Sequence, residues 1–150
     1  MDTLLKSSED ELRREATRAL ASLDIEPAQM AAYLKNSIDD SNVMVRSQAL
    51  RTLTDYGQAN HDNIDILQNY CRPALAENSL GGPYERSFER YLARKALELY
   101  PDPLADYLDD SEATKHPASN RFWAIQALPA EKRTPYFLTL WDTLKAQPWD

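Results

Sequence analysis

An all-helical fold of stacked helix pairs is what this chain of 150 residues predicts, and three observations carry that expectation. The first is a recurring phrase. Val45-Arg46-x-x-Ala49-x-x-x-Leu53 is echoed by Leu12-Arg13-x-x-Ala16-x-x-x-Leu20, by Leu92-x-x-x-Ala96-x-x-x-Tyr100 and by Asn120-Arg121-x-x-Ala124-x-x-x-Leu128. The second is the triplet Asp39-Asp40-Ser41 ahead of Arg46, repeated as Asp109-Asp110-Ser111 ahead of Arg121. Repetition every few tens of residues, with a helix pair per unit, is the signature of an α-solenoid. The third is composition: three glycines and no alternating β-branched runs argue against a sheet. The expected architecture is one domain over residues 1–150, a short right-handed α-solenoid of about four helix pairs and roughly eight helices.

Each element has its own local reason. In the first helix, 9–23, Ser8 with Glu11 reads as a capping box. Leu12, Ala16, Leu20 and Leu23 form its expected buried stripe, with Arg13, Arg14 and Arg18 off it. Pro27 opens the second helix, where its missing N–H costs nothing, and Met30, Ala31, Leu34 and Ile38 share a face. Asp39, Asp40 and Ser41 then cap a central helix reaching Tyr56, with Val45, Ala49 and Leu53 on one side and Gly57 suited to a left-handed C-terminal residue. A fourth helix, 62–78, is expected to bury Ile64, Leu67, Cys71 and Leu75 and to kink at Pro73.

The segment Asn78-Ser79-Leu80-Gly81-Gly82-Pro83 is the strongest break in the chain. It reads as a lengthened inter-helix loop, with a hinge between two halves as the alternative. The fifth helix, 84–100, is expected to bury Phe88, Leu92, Ala96 and Leu99, and Pro101 and Pro103 end it. A short helix, 102–108, and a long loop, 109–118, follow. The seventh helix covers 119–128, and Thr134-Pro135 reads as the cap and first-turn proline of the last, with Phe137, Leu140, Trp141 and Leu144 on one face.

The central phrase Asp39-Asp40-x-x-x-x-Val45-Arg46-x-x-Ala49-Leu50-x-x-Leu53 resembles the second half of a HEAT repeat, including the HEAT-like variant of phycobilin lyases. The resemblance covers most of the chain, though the third unit has Ala93 where the repeat arginine belongs. It implies an Asp–Arg ladder between neighbouring repeats: Asp39 or Asp40 with Arg46, and Asp109 or Asp110 with Arg121, held by charge-assisted bonds. It also implies that the second helix of each pair lines a concave face. Arg14, Arg18, Arg51, Arg90 and Arg94 would then share that face, and Arg86 joins Arg90 and Arg94 at i, i+4 and i+8. A basic groove of this kind suits an acidic segment of a partner. The blander alternative is a solvated face on which Glu85, Glu89 and Glu98 neutralise the arginines.

Charge and motifs bound the rest. A net charge of −7 weighs against non-specific adhesion to nucleic acid or an anionic membrane. The single cysteine, Cys71, precludes an intramolecular disulfide and reads as a small core residue. No apolar run approaches the roughly 20 residues of a membrane span. The first residues lack a basic stretch followed by an apolar one, so no signal peptide is expected, and the expected location is cytoplasmic. His61 and His116 lie in expected loops, and the sequence holds no phosphate loop, H-E-x-x-H, paired-Cys or G-x-S-x-G motif. No catalytic residue, metal ligand or cofactor is therefore assigned.

Aromatics crowd the C-terminus: Phe122, Trp123, Tyr136, Phe137, Trp141 and Trp149. They are expected chiefly to close the end of the core. Trp149 is the candidate partner anchor, because Trp is enriched in that role, and an exposed apolar end is compatible with homodimerisation. The expected function is a non-enzymatic protein–protein interaction module, whether adaptor, scaffold or inhibitor of the immunity type. The alternative is a HEAT-like enzyme or nucleic-acid binder, DNA-glycosylase-like or bilin-lyase-like.

Overall fold

The computed structural model of the chain describes residues 1–56, 59–73 and 83–146. Among them are nine α-helices, two 3₁₀ turns and no strand: α1 (Asp2–Leu5), α2 (Asp10–Ala19), a 3₁₀ turn (Leu20–Ser22), α3 (Pro27–Ser37), α4 (Val43–Tyr56), α5 (His61–Tyr70), α6 (Pro83–Leu97), α7 (Pro101–Leu108), a second 3₁₀ turn (Ser111–Lys115), α8 (Ala118–Ile125) and α9 (Ala130–Leu144).

The helices pack in two layers. α2, α4, α6 and α8 stand in sequence, each against the next, while α3, α5 and α7 do the same on the other side. The chain passes back and forth between the layers, so α1/α2, α3/α4 and α5/α6 pack as successive pairs, α7 and α8 are bridged by the second 3₁₀ turn, and α9 covers the flank of α8. This is the architecture of an α-solenoid, as the repeats predict.

One apolar cluster runs through the stack, from Leu20, Met30 and Leu34 by way of Ala49, Leu53, Ile64 and Leu67 to Leu97, Leu104 and Leu128. Each fully buried Leu or Ile of this kind contributes about 1.5–3 kcal/mol relative to leaving it in water. A second, smaller cluster, Ala118, Ile125, Leu140 and Leu144, fastens α9 onto α8. The recurring alanines Ala16, Ala49, Ala96 and Ala124 are all buried, as is Ala93, which stands in the place of a repeat arginine.

Local chemistry explains the boundaries, and several differ from expectation. α2 starts after Glu9, not at a Ser8 capping box; it is the Ser7 Oγ that accepts, from the Glu9 N–H at 3.1 Å. The cap of α4 is Asn42, whose Oδ1 accepts from the Met44 N–H at 2.8 Å, while Asp40 Oδ1 receives the Asn42 N–H at 2.8 Å. α5 begins with Asn60 accepting from the Asn63 N–H at 2.9 Å. It stops at Tyr70 and does not continue through Pro73 as a kinked helix; the residue before a proline is pushed out of the helical region.

α9 starts a full turn before the expected Thr134-Pro135 cap and carries Pro135 in its interior. Arg133 fixes that earlier start, donating to the carbonyls of Leu128 at 2.8 Å and Gln126 at 2.9 Å at the end of α8. Leu12, Leu23, Phe88 and Leu99, expected in the core, are 48%, 43%, 40% and 59% exposed. The expected break at 78–83 falls, apart from the backbone of residue 83 at the start of α6, outside the described residues, as do Gly57, Leu75 and Trp149.

Candidate functional site

Two of the repeat arginines, Arg13 and Arg46, work at the joints, and Arg46 does so with partners other than those expected. Arg13 of α2 grips the Asp40 carboxylate with two bonds, Nε to Oδ2 at 2.7 Å and Nη2 to Oδ1 at 2.9 Å. Its Nη1 donates to the Ser7 carbonyl at 2.8 Å, so one guanidinium ties the first pair to the turn of the second. Burial pushes the Asp40 carboxyl up, but the bond from Arg13, the Asn42 N–H and the charges of Arg13 and Arg46 together hold it below the usual carboxylate range.

Arg46 does not take a carboxylate from Asp39 or Asp40. It donates to the Asp40 and Ser41 carbonyls at 2.7 and 3.1 Å, and its Nε meets Glu89 Oε1 of α6 at 2.6 Å. Asp39 pairs with Arg72 instead, at 3.1 Å. The Arg46–Glu89 pair is completely dry, both side chains being 0% exposed. Glu89 Oε2 also accepts from Arg86 at 3.2 Å, and the Tyr70 hydroxyl lies 3.2 Å from the Arg46 carbonyl. Burial, and then the Glu89 charge, push the Tyr70 phenol well above its ordinary range. Arg121 makes no ion pair with Asp109 or Asp110 among the described residues; burial lowers its basicity. Its neighbour Asn120 does the joining, donating to the Gln68 and Asn69 carbonyls at 3.3 Å.

The arginine stripe of α6 turns largely inward. Arg86 and Arg90 are buried, 3% and 9% exposed, and Arg90 lies over the Trp123 ring at 3.9 Å from its centroid. Both therefore belong to the packing between helices and not to an open surface. Arg94 is half-buried beside Glu98, at 3.4 Å, and the ring of Tyr91. Phe122 stacks near Trp123 and Phe137, and Phe137 near Trp141, an aromatic chain that closes the end of the stack.

Arg14, Arg18 and Arg51 do converge. They line a hollow of about 560 Å³ between α2 and α4, with Met44 and Phe88 at its side. A second hollow of about 390 Å³ lies between α4 and α6 and is walled by Leu50, Leu92, Ala96 and Leu99. Arg51 borders both, so the two form one groove along α4. The cations in it are unequal. Arg14 and Arg18 are held by Glu11 and Glu15 on their own helix, and Lys95 by Glu98. Arg51 makes no ion pair or hydrogen bond among the described residues and is exposed.

The two histidines do not stand alone. His116 Nε2 lies 2.8 Å from Asp65 Oδ1, which also accepts from the Tyr107 hydroxyl at 2.6 Å, and His61 packs edge-on against Tyr107. The hydrogen bond from His116, outweighing burial and helped by Tyr107, keeps Asp65 below the usual carboxylate range. Sequence reasoning missed this cluster because its members are some fifty positions apart; the reading had no signal for it. Cys71 is wholly buried and burial pushes its thiol up to about 12, as suits an inert core residue. Among the described residues no group of His, Cys, Asp and Glu is arranged to hold a metal ion, and no helix is long and apolar enough to cross a membrane.

Comparison with curated proteins and with solved structures found no match. A family model does match: that of HEAT repeats, over residues 1–75, half of the chain and the half that contains the Arg13–Asp40 joint and all of α4. With the two-layered stack of helix pairs, that match places the protein: the chain belongs to the HEAT-repeat family.

Proposed function

We propose that the protein is a non-enzymatic interaction module that takes an acidic segment of another protein along the α2/α4/α6 face. HEAT repeats are commonly protein-interaction modules. The observation that carries the reading here is the groove along α4, which combines exposed apolar side chains, Met44 and Leu99, with a guanidinium, Arg51, that no carboxylate of the described chain satisfies. Burial of apolar anchors supplies affinity, and complementary charge supplies orientation and on-rate.

The groove stands on Arg14, Arg18 and Arg51; Arg94 lines neither hollow and pairs with Glu98, and Arg86 and Arg90 drop out because they are packed inside. A protein partner fits better than nucleic acid, because the net charge of −7 opposes a polyanion along its whole length. Affinity capture from native lysate with and without nuclease, using the wild type and an Arg51→Glu variant, tests the reading. The expected result is a stoichiometric protein partner that survives nuclease and is lost with the variant. Recovery of nucleic acid alone, or of partners indifferent to Arg51, overturns it.

A further inference from the structure

We infer that the groove is built for one kind of occupant, an amphipathic helix of about three turns carrying an acidic residue beside its apolar stripe. This rests on the interaction-module reading and adds the chemistry of the partner.

The length comes from α6. Phe88, Leu92 and Lys95 fall at i, i+4 and i+7 on α6, and Leu99, at i+11 in the turn just past the helix end, carries the same line on, bordering the same hollow as Leu92 and Lys95. At 1.5 Å per residue that line is about 16 Å long, or three helical turns. Phe88 on α6 and Leu99 in the turn that follows it are 40% and 59% exposed, large apolar side chains left outside at the two ends of the line. On α4 the facing line runs Met44, Gln48, Arg51 and Asp55 at the same spacing, and Met44 is 52% exposed. Two neighbouring helices that pack side by side leave a furrow into which the ridge of a third helix fits. An amphipathic helix lays its apolar face in such a furrow through anchors at i, i+3, i+4 and i+7.

The charge comes from Arg51. It stands midway along the α4 line and borders both hollows. Arg14 and Arg18 are already engaged by Glu11 and Glu15, so a partner carboxylate meets less competition at Arg51. Recognition is thus divided: Phe88, Leu92, Leu99 and Met44 select an apolar stripe, and Arg51 selects an acid flanking its centre.

A phage-displayed library of helix-forming sixteen-residue peptides with randomised surface positions, panned on the full chain, tests this. The expected binders carry large apolar residues at helical spacing and an Asp or Glu beside the central one. Loss of a desolvated charge pair or of an apolar anchor should weaken them by about tenfold or more in Arg51→Glu and in Leu99→Asp, with Lys115→Glu, in the second 3₁₀ turn and outside the groove, near wild type. Circular dichroism and thermal unfolding of each variant establish that it folds. Binders lost with Leu99→Asp but kept by Arg51→Glu overturn the acidic half of the inference and leave the interaction module standing. Binders indifferent to both overturn the groove as well. A library yielding no binder overturns the helical occupant, while partner capture from lysate judges the module separately.

Discussion

Two joints of the α2/α4/α6/α8 layer bury an arginine in different ways. Between α4 and α6, Arg46 meets a fully buried carboxylate, Glu89, and its Nη1 is taken by two carbonyls of the preceding turn. Between α6 and α8, Arg90 lies across the face of Trp123, which belongs to an aromatic chain reaching Phe137 and Trp141. The first joint works by charge in a dry place, the second by a large flat surface that also packs apolar neighbours. The difference lies in how each fails. Removing one member of a dry ion pair strands a charge, whereas removing a ring loses contact area.

The largest effect is therefore expected at Glu89. Glu89→Leu leaves Arg46 and Arg86 without their shared counter-ion in the core. Breaking one side of a buried pair costs about 3–5 kcal/mol. Chemical unfolding should show a loss in that range; a loss under about 1 kcal/mol would remove the joint from the stability of the fold. Replacing Arg46 and Arg86 by Met as well should recover part of the loss, because no charge is then left stranded in the core, although the Asp40 and Ser41 carbonyls lose their Arg46 donor.

The aromatic joint should come second. Trp123 is only partly buried, so Trp123→Ala is expected to cost about 2 kcal/mol, below the 3–5 of a fully buried tryptophan. Trp141, 43% exposed at the outer end of the same chain, is expected to change stability by about 0.5 kcal/mol or less on replacement with alanine. Equal losses at the two tryptophans would mean that the aromatic chain acts as a single unit, with the gradient from core to end abolished.

The same contrast explains which parts were legible in the amino-acid sequence. The helix start marked by Pro27, and the stripe of Val45, Ala49 and Leu53, depend on neighbours a turn or two away, and they fall where local rules put them. Ladder chemistry was legible as residue types but not as pairs. Whether the Arg46 guanidinium turns to the Asp40 carboxylate or past it to Glu89 depends on where α6 lies, forty-three positions on. Arg86 and Arg90 illustrate the same point. The period of a helix puts them on one line, but only the approach of α8 with Trp123 shows that the line faces inward. In the groove, Arg14, Arg18 and Arg51 were legible because the repeats align them; Met44, Phe88 and Leu99 were not, because an apolar residue left outside looks the same in a sequence as one in the core. The His116–Asp65–Tyr107 cluster joins α5, α7 and the second 3₁₀ turn, and only the stacking of pairs brings it together.

Acid sharpens the comparison at the smallest scale, because it discharges carboxylates and leaves aromatic contacts alone. Asp40 and Asp65 both have folded-state pKa values below their ordinary ones. For Asp40, burial opposes the shift and the Arg13 bond, the Asn42 N–H and the nearby charges outweigh it; for Asp65, the His116 bond leads. A carboxyl with a depressed folded pKa stabilises the fold above its unfolded value, about 3.9, and that stabilisation is lost as pH falls through the folded value. The wild type should thus hold its stability from neutrality down to about pH 4 and lose it progressively below. Asp40→Asn should be less stable than wild type at pH 7 and should approach it as pH falls through the depressed folded-state value, below the ordinary carboxylate range, where the wild-type carboxyl itself becomes neutral. Trp123→Ala should keep a constant deficit across that range, since no proton is exchanged at the ring. If the Asp40→Asn deficit also stays constant with pH, the Arg13–Asp40 grip acts through hydrogen bonding and shape alone, and the two joints differ less in kind than their geometry indicates.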